Sequence, residues 1–410
     1  MSLKALIVAL VVAVTVGGFA ADRAEAQGRR RSSVLPAGIG EYRSRNFVLR
    51  TDLSAEDAEE LLDRLEAMLK IVSAYWRKPN RAPLAIAVVD DADRWPSQAL
   101  PPEVFESVSR GGGITRSVVR STRRGVPLDA TATAYASTRG GTPLHEAVHA
   151  YCYINFGRVG PIWYAEGMAE MGAYWAEGDA AVHAPEYVCR YLRNTPIASF
   201  NEIVNGEQQT GDSGEKYAWR WALCHLLATN PNYAPRFRPL GLNLLTGRPD
   251  SFEQAYGTMR REIEFEYRQF VKHVAPGYRA DLTAWDWKER ARPVAAGRSR
   301  RVRVRADAGW QPAGIEVAVG ERWAFDCEGT WDIGPDRTTD AAGEAETTAG
   351  RLTAAVFDPR TYTLGEPFEI GSLKEFETPA GGHLVLRCGD DWRDLGDNSG
   401  RISVDLTRVR

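Results

Sequence analysis

Beyond residues 5–20 the chain has no apolar run long enough to engage a bilayer, which excludes a multispan membrane protein. Neither sign of charge dominates. Lys and Arg number 51 against 54 Asp and Glu, a formal net charge of -3, so no global basic field exists to hold nucleic acid or an anionic membrane. Cysteine is scarce and odd in number, five residues with no C-x-x-C spacing, which excludes a thioredoxin-type motif and a thiolate zinc cluster. Cys327 and Cys388 lie in strand-like runs, where they either pair or stay as buried thiols. A phosphate cradle is also missing. Gly206 and Gly211 have Walker spacing, but Asp212 and Ser213 follow where Lys and a hydroxyl residue are required. What the 410 residues do hold is 44% apolar and 26% charged side chains, a globular composition sufficient for two or three domains of about 150 residues each.

Residues 1–26 read as a signal peptide. Lys4 gives a positive start, residues 5–20 are apolar, and Ala24-Glu25-Ala26 puts small residues where a signal peptidase needs them, before Gln27. This predicts export to a periplasmic or extracellular compartment, with an uncleaved anchor as the alternative; no Cys follows for a lipid. Residues 27–38 form a polar leader containing Arg29, Arg30 and Arg31. Over residues 39–288 the pattern is α+β. A strand begins at Phe47, and Leu61, Leu62, Leu65, Met68, Leu69 and Val72 then recur at helical spacing after a Ser54 N-cap. A second strand is expected at 84–89. The light Ala-Thr alternation at 130–136 predicts another at a sheet edge, and helices follow from Pro143 to about Val274. Residues 289–300, with Pro293 and Gly297, read as a linker. Residues 301–410 alternate in short runs between Gly, Asp and Pro, as an all-β antiparallel sandwich does.

The run GGTPLHEAVHAYCYINFG, residues 140–157, carries the chemistry. Thr142 predicts an N-cap, Pro143 suits the first helical position and Gly157 supplies a left-handed stop. His145 and His149, four residues apart, are separated by about 40° around the axis and can grip one ion. Glu146, turned about 100° from His145, suits holding a water rather than the metal. A zinc site of this kind needs a third protein ligand. The next expected helix, GPIWYAEGMAEMGAYWAEG, offers Glu166 for that place, with Glu170 one turn on as an orienting group or an exposed carboxylate. Gly167, costly inside a helix, suggests close approach of a second helix. Cys152, on the same face as His149, is rejected because a thiolate would close the site to water.

The strand and helix FVLRTDLSAEDAEELLDRLEAML, together with HEAVH, PIWYAEGMAE and EKYAWRWALCHLL, resemble the gluzincin metallopeptidases, in particular an exported bacterial peptidase-MA-like group. The resemblance spans roughly residues 39–275. It implies a zincin-like fold, zinc held by His145, His149 and Glu166, and Glu146 as general base and then acid. Sixteen residues separate His149 from Glu166, fewer than in the best known gluzincins, so the connecting loop must be short. Tyr217, in EKYAW, is a candidate oxyanion donor by its place in the family-like segment, with a core tyrosine as the alternative.

In the last segment, acidic and amide oxygens at Asp390, Asp394, Asp397 and Asn398 are dense enough for a hard cation such as calcium; the alternative is an acidic loop. The pattern resembles the calcium-dependent bacterial galactophilic lectins, which implies those four side chains and the Ile333 carbonyl as calcium ligands. Asp394 replaces a hydroxyl residue of that family. Its sugar-contacting His and Gln have no counterpart in DRTTDAAGEAETT, so galactose specificity does not carry over. The expectation is therefore an exported zinc metallopeptidase, acting on peptide or protein, with a lectin-like accessory domain for calcium and a glycan. The alternative is a non-catalytic carbohydrate-binding protein on a zincin scaffold.

Overall fold

The computed structural model describes residues 12–13, 38–123, 127–205, 214–371 and 375–409. The signal and leader segments, apart from the strand Val12–Ala13 and residue 38, lie outside the described residues, as does the Walker-like loop at 206–213. Two compact units form. One comprises Met1–Asp179, Ala198–His225 and Arg236–Ala255, and the other Ala180–Ile197, Leu226–Pro235 and Tyr256–Arg410. No helix among the described residues is long and apolar enough to cross a membrane.

The first unit is α+β. Its helix Ala55–Trp76 begins where the capping signal places it, with the Ser54 hydroxyl accepting from the Asp57 N–H at 3.2 Å. The apolar stripe from Leu61 to Trp76 is buried. The helix ends on Arg77 at φ 51°, a left-handed cap usually given to glycine, where a side chain costs about 1 kcal/mol. The sheet runs in the order Val12–Ala13, Gly113–Ser121, Pro127–Ser137, Leu84–Val89, Phe47–Thr51, Gly40–Arg43. The three strands Phe47–Thr51, Leu84–Val89 and Pro127–Ser137 are parallel, and Gly113–Ser121 is antiparallel to its neighbour.

The Ala-Thr strand is therefore not at an edge. It lies between Gly113–Ser121 and Leu84–Val89, with Ala134 and Ala136 fully buried. Its small side chains are explained by what lies over them. Helix Thr142–Phe156 packs down on this strand, and short residues let it come close. The outer position that the alternation suggested for residues 130–136 belongs to Gly113–Ser121 and the two-residue strand paired with it.

In the second unit, strands Ser299–Arg305, Arg322–Glu328, Trp331–Ile333 and Asn398–Arg408 belong to one sheet, and Gln311–Val317, Arg351–Asp358 and Gly382–Gly389 to another. Both contribute to a shared core that includes Val304, Ile315, Trp323, Trp331, Leu352, Leu384 and Ile402. The pairings among these strands are antiparallel. Arg292–Pro293, inside the expected linker, forms a short parallel strand against Ile315 and Glu316. Cys327 and Cys388 do not pair. They sit on strands of different sheets, and all five cysteines are free thiols.

Candidate metal centre

Helix Thr142–Phe156 starts one residue earlier than its capping signal implied. Gly141 is the N-cap, and Thr142, already helical, donates its hydroxyl to the Arg139 carbonyl at 2.8 Å. Gly157 closes the helix at φ 75°. The following helix, Ile162–Tyr174, begins after Pro161, so the loop between the two is short, as the sequence required. Two glycines set the helix contacts. A Cβ on Gly172 would stand 2.4 Å from Val148 Cγ2 on the HEAVH helix. A Cβ on Gly167 would stand 2.4 Å from Cys224 Sγ and 2.7 Å from the Arg220 carbonyl oxygen, both on helix Gly214–Thr229.

These contacts bring three ligand-type atoms together. His145 Nε2 lies 3.2 Å from Glu166 Oε2 and 3.1 Å from His149 Nε2, and His149 Nε2 lies 3.4 Å from Glu166 Oε2. Ligand atoms at zinc distances from one tetrahedral centre stand about 3.3 Å apart, so the donor set fits that ion in both chemistry and spacing. Among the described residues, this is the group of three or more His, Cys, Asp or Glu side chains whose ligand atoms fall within 4.8 Å of one another. Exposure is 0% at His145, 1% at His149 and 2% at Glu166, which separates it from an ordinary surface ion pair.

Electrostatics follow from that burial. Burial alone would raise the Glu166 carboxyl, but the two imidazoles hold it down at about 2. Burial works to lower the His145 imidazole and is outweighed by Glu166 and Glu170, which hold it well above the usual histidine value. Glu170 reaches His145 Nδ1 at 3.0 Å, so of its two readings it takes the orienting one. Glu146 is fully buried beside this group, and burial raises its carboxyl. The Thr115 hydroxyl donates to it, 2.7 Å from Oε2, while Oε1 has no hydrogen-bond partner among the described residues. Gly113 makes room for it, since a Cβ there would stand 2.5 Å from Glu146 Cγ. Tyr217, 2% exposed, packs edge-on against the His145 ring with centroids 5.8 Å apart. Cys152 is buried and outside the group.

The sequence reading missed Thr115 and Gly113. Neither has a local spacing signal, because the strand meets the helix only in the tertiary fold, 31 residues away along the chain from Thr115 to Glu146.

The acidic set of the second unit is looser. Ile333 and Asn398 are register partners on adjacent strands, and Asp390, Asp394 and Asp397 occupy the segment that leads into Asn398. Asp390 Oδ2 and Asn398 Oδ1 are buried without partners among the described residues. Burial raises the Asp394 carboxyl, reinforced by Asp391, Asp390 and Asp397. The Ile333 carbonyl oxygen stands 3.4 Å from Arg337 Nη1.

No family model and no curated protein matches the chain. Among solved structures it is similar to the EclA N-terminal domain, a PllA-like lectin, at 22% identity over 26% of this chain and 94% of that one, with a TM-score of 0.22. It is also similar to the IMPa metallopeptidase in complex with T-antigen, at 15% identity over 79% of this chain and 37% of that one, with a TM-score of 0.18.

Proposed function

We propose that residues 39–288 form a zinc-dependent metallopeptidase, exported through residues 1–26, and that residues 301–410 form a calcium-dependent, lectin-like accessory domain. The observation that carries the peptidase reading is the buried convergence of His145, His149 and Glu166 beside an unpartnered Glu146 oxygen. His145, His149 and Glu166 would hold the ion, and Glu170 fixes the His145 ring by its Nδ1. When bound, zinc supplies Lewis acidity that polarises a carbonyl and brings the pKa of a water it binds to about 7.

The remaining work falls to side chains. Glu146 Oε1, free to accept, takes the proton of the attacking water and returns it to the leaving nitrogen. Thr115 keeps the other carboxylate oxygen engaged, which fixes the direction in which Oε1 points. Tyr217 donates to the developing oxyanion, a contact worth about 3 kcal/mol where such donors have been removed in other enzymes. In the second unit, the orphaned oxygens of Asp390 and Asn398 favour a hard cation, which Asp394, Asp397 and the Ile333 carbonyl would help to hold.

The deciding experiment pairs element-resolved metal analysis with a peptide-library digest, for the wild type and Glu146→Gln. One zinc per chain in both, with cleavage only in the wild type, is the expected result. Cleavage that persists in Glu146→Gln would overturn the mechanism, and a folded wild type that takes up no zinc would overturn the site.

A further inference from the structure

A cavity of about 570 Å³ opens in the first unit at the C-terminal end of the HEAVH helix. Gly157 stands eleven positions after Glu146 along this helix, so the cavity lies about 16 Å along the axis from the candidate metal centre. Four cationic side chains line it: Arg77, Lys78 and Arg81, where the chain leaves helix Ala55–Trp76, and Arg248 from a distant segment. Among the described residues none of the four has an ion-pair partner. The carboxylate in the lining, Asp129, is already held by Arg120 at 2.6 Å.

Three helix C-termini end here, at Trp76, Phe156 and Thr246, and each contributes about half a negative charge. That offsets only part of four full positive charges. Exposed lysines and arginines are ordinarily a solvated face, but these converge on one concavity of small-molecule size. Arg77 adds a second observation. It holds the left-handed position at the end of its helix, where glycine would be unstrained, and lines the cavity. Guanidinium forks match the paired oxygens of sulfate and phosphate groups better than they match a lone carbonyl.

We propose that this cavity binds a small, multiply charged oxyanion, a sulfate or phosphate ester, at a site separate from the candidate metal centre. The proposal does not depend on the peptidase reading.

Calorimetric titration of the full chain with inorganic pyrophosphate, and separately with a trisulfated disaccharide, tests it. Saturable binding of at least one probe is expected, weakening as salt rises. Arg77→Gly should lower that affinity about tenfold, and Arg77→Gly with Arg248→Ser further still. Because glycine relieves the backbone at residue 77, Arg77→Gly should melt no lower than the wild type, so its loss of binding cannot be attributed to unfolding. Should that variant fold poorly, Arg248→Ser, at an exposed position, carries the test alone. Pyrophosphate binding alone assigns a phosphate ligand and disaccharide binding alone a sulfated glycan. Failure of both probes, or binding unchanged by all the substitutions, overturns the proposal.

Discussion

Glu170 Oε1 stands 3.0 Å from His145 Nδ1, so the ring's other nitrogen, Nε2, is the one presented to Glu166 and His149. The carboxylate fixes both the tautomer and the orientation of the imidazole. Glu170→Ala should therefore weaken zinc binding by about 10-fold to 100-fold, read by competition with a chromophoric chelator. An unchanged affinity would make Glu170 a packing residue only.

Thr115 bonds to Glu146 without touching the three ligand-type atoms. Thr115→Val should leave zinc content intact and reduce kcat by about 10-fold to 150-fold, since a hydrogen bond to a charged group is worth about 1.5–3 kcal/mol. The lost donor also raises the Glu146 carboxyl further, so the acid limb of the pH–rate profile should move to higher pH. A purely structural role would lower stability without moving that limb.

Gly167 faces the Arg220 carbonyl, a backbone atom that cannot swing away. Gly167→Ala should destabilise the first unit by about 1–3 kcal/mol through overpacking, more than offsetting alanine's helix preference of about 1 kcal/mol. Thermal denaturation would show a lower Tm. A higher Tm would mean that the two helices can part without cost.

His273 stacks on Trp392 with ring centroids 4.6 Å apart. Burial, with Lys272 and Arg387 nearby and only Asp391 opposing, pushes its pKa down to about 4. The unfolded chain, near 6.5, therefore binds the extra proton first. Stability is full above pH 6.5 and falls as pH drops toward 4, by at most about 3 kcal/mol. His273→Phe should flatten that part of the pH dependence relative to the wild type in denaturant titrations; an identical slope would rule the residue out.

All five cysteines are free. Thiol titration of unreduced, denatured protein should count five groups per chain. A count of three would restore a disulfide.

The ligand-type group was legible because it is local: two histidines one turn apart, and a glutamate on the next helix, announced by Pro161 and a short loop. The strand order was less so. Residues 130–136 show small, alternating side chains, which suit either an exposed edge or an interior strand beneath a close helix, and one sequence does not distinguish these. The same holds for Thr142, whose hydroxyl finds a carbonyl one turn back instead of capping the helix that follows. Partners supplied by another element, as Thr115 is to Glu146, leave no periodic trace.

The short span of the ligand group has a kinetic consequence. Only 21 positions separate His145 from Glu166, and both lie in one helical hairpin joined by a short loop. Such local contacts form on far shorter timescales than the long-range pairing of a mixed sheet. A metal present during refolding can therefore be captured by the hairpin before the sheet closes beneath it, while Glu146 waits for Thr115 to arrive. Metal uptake should precede the recovery of activity, and the interval between them measures how long the sheet takes to assemble.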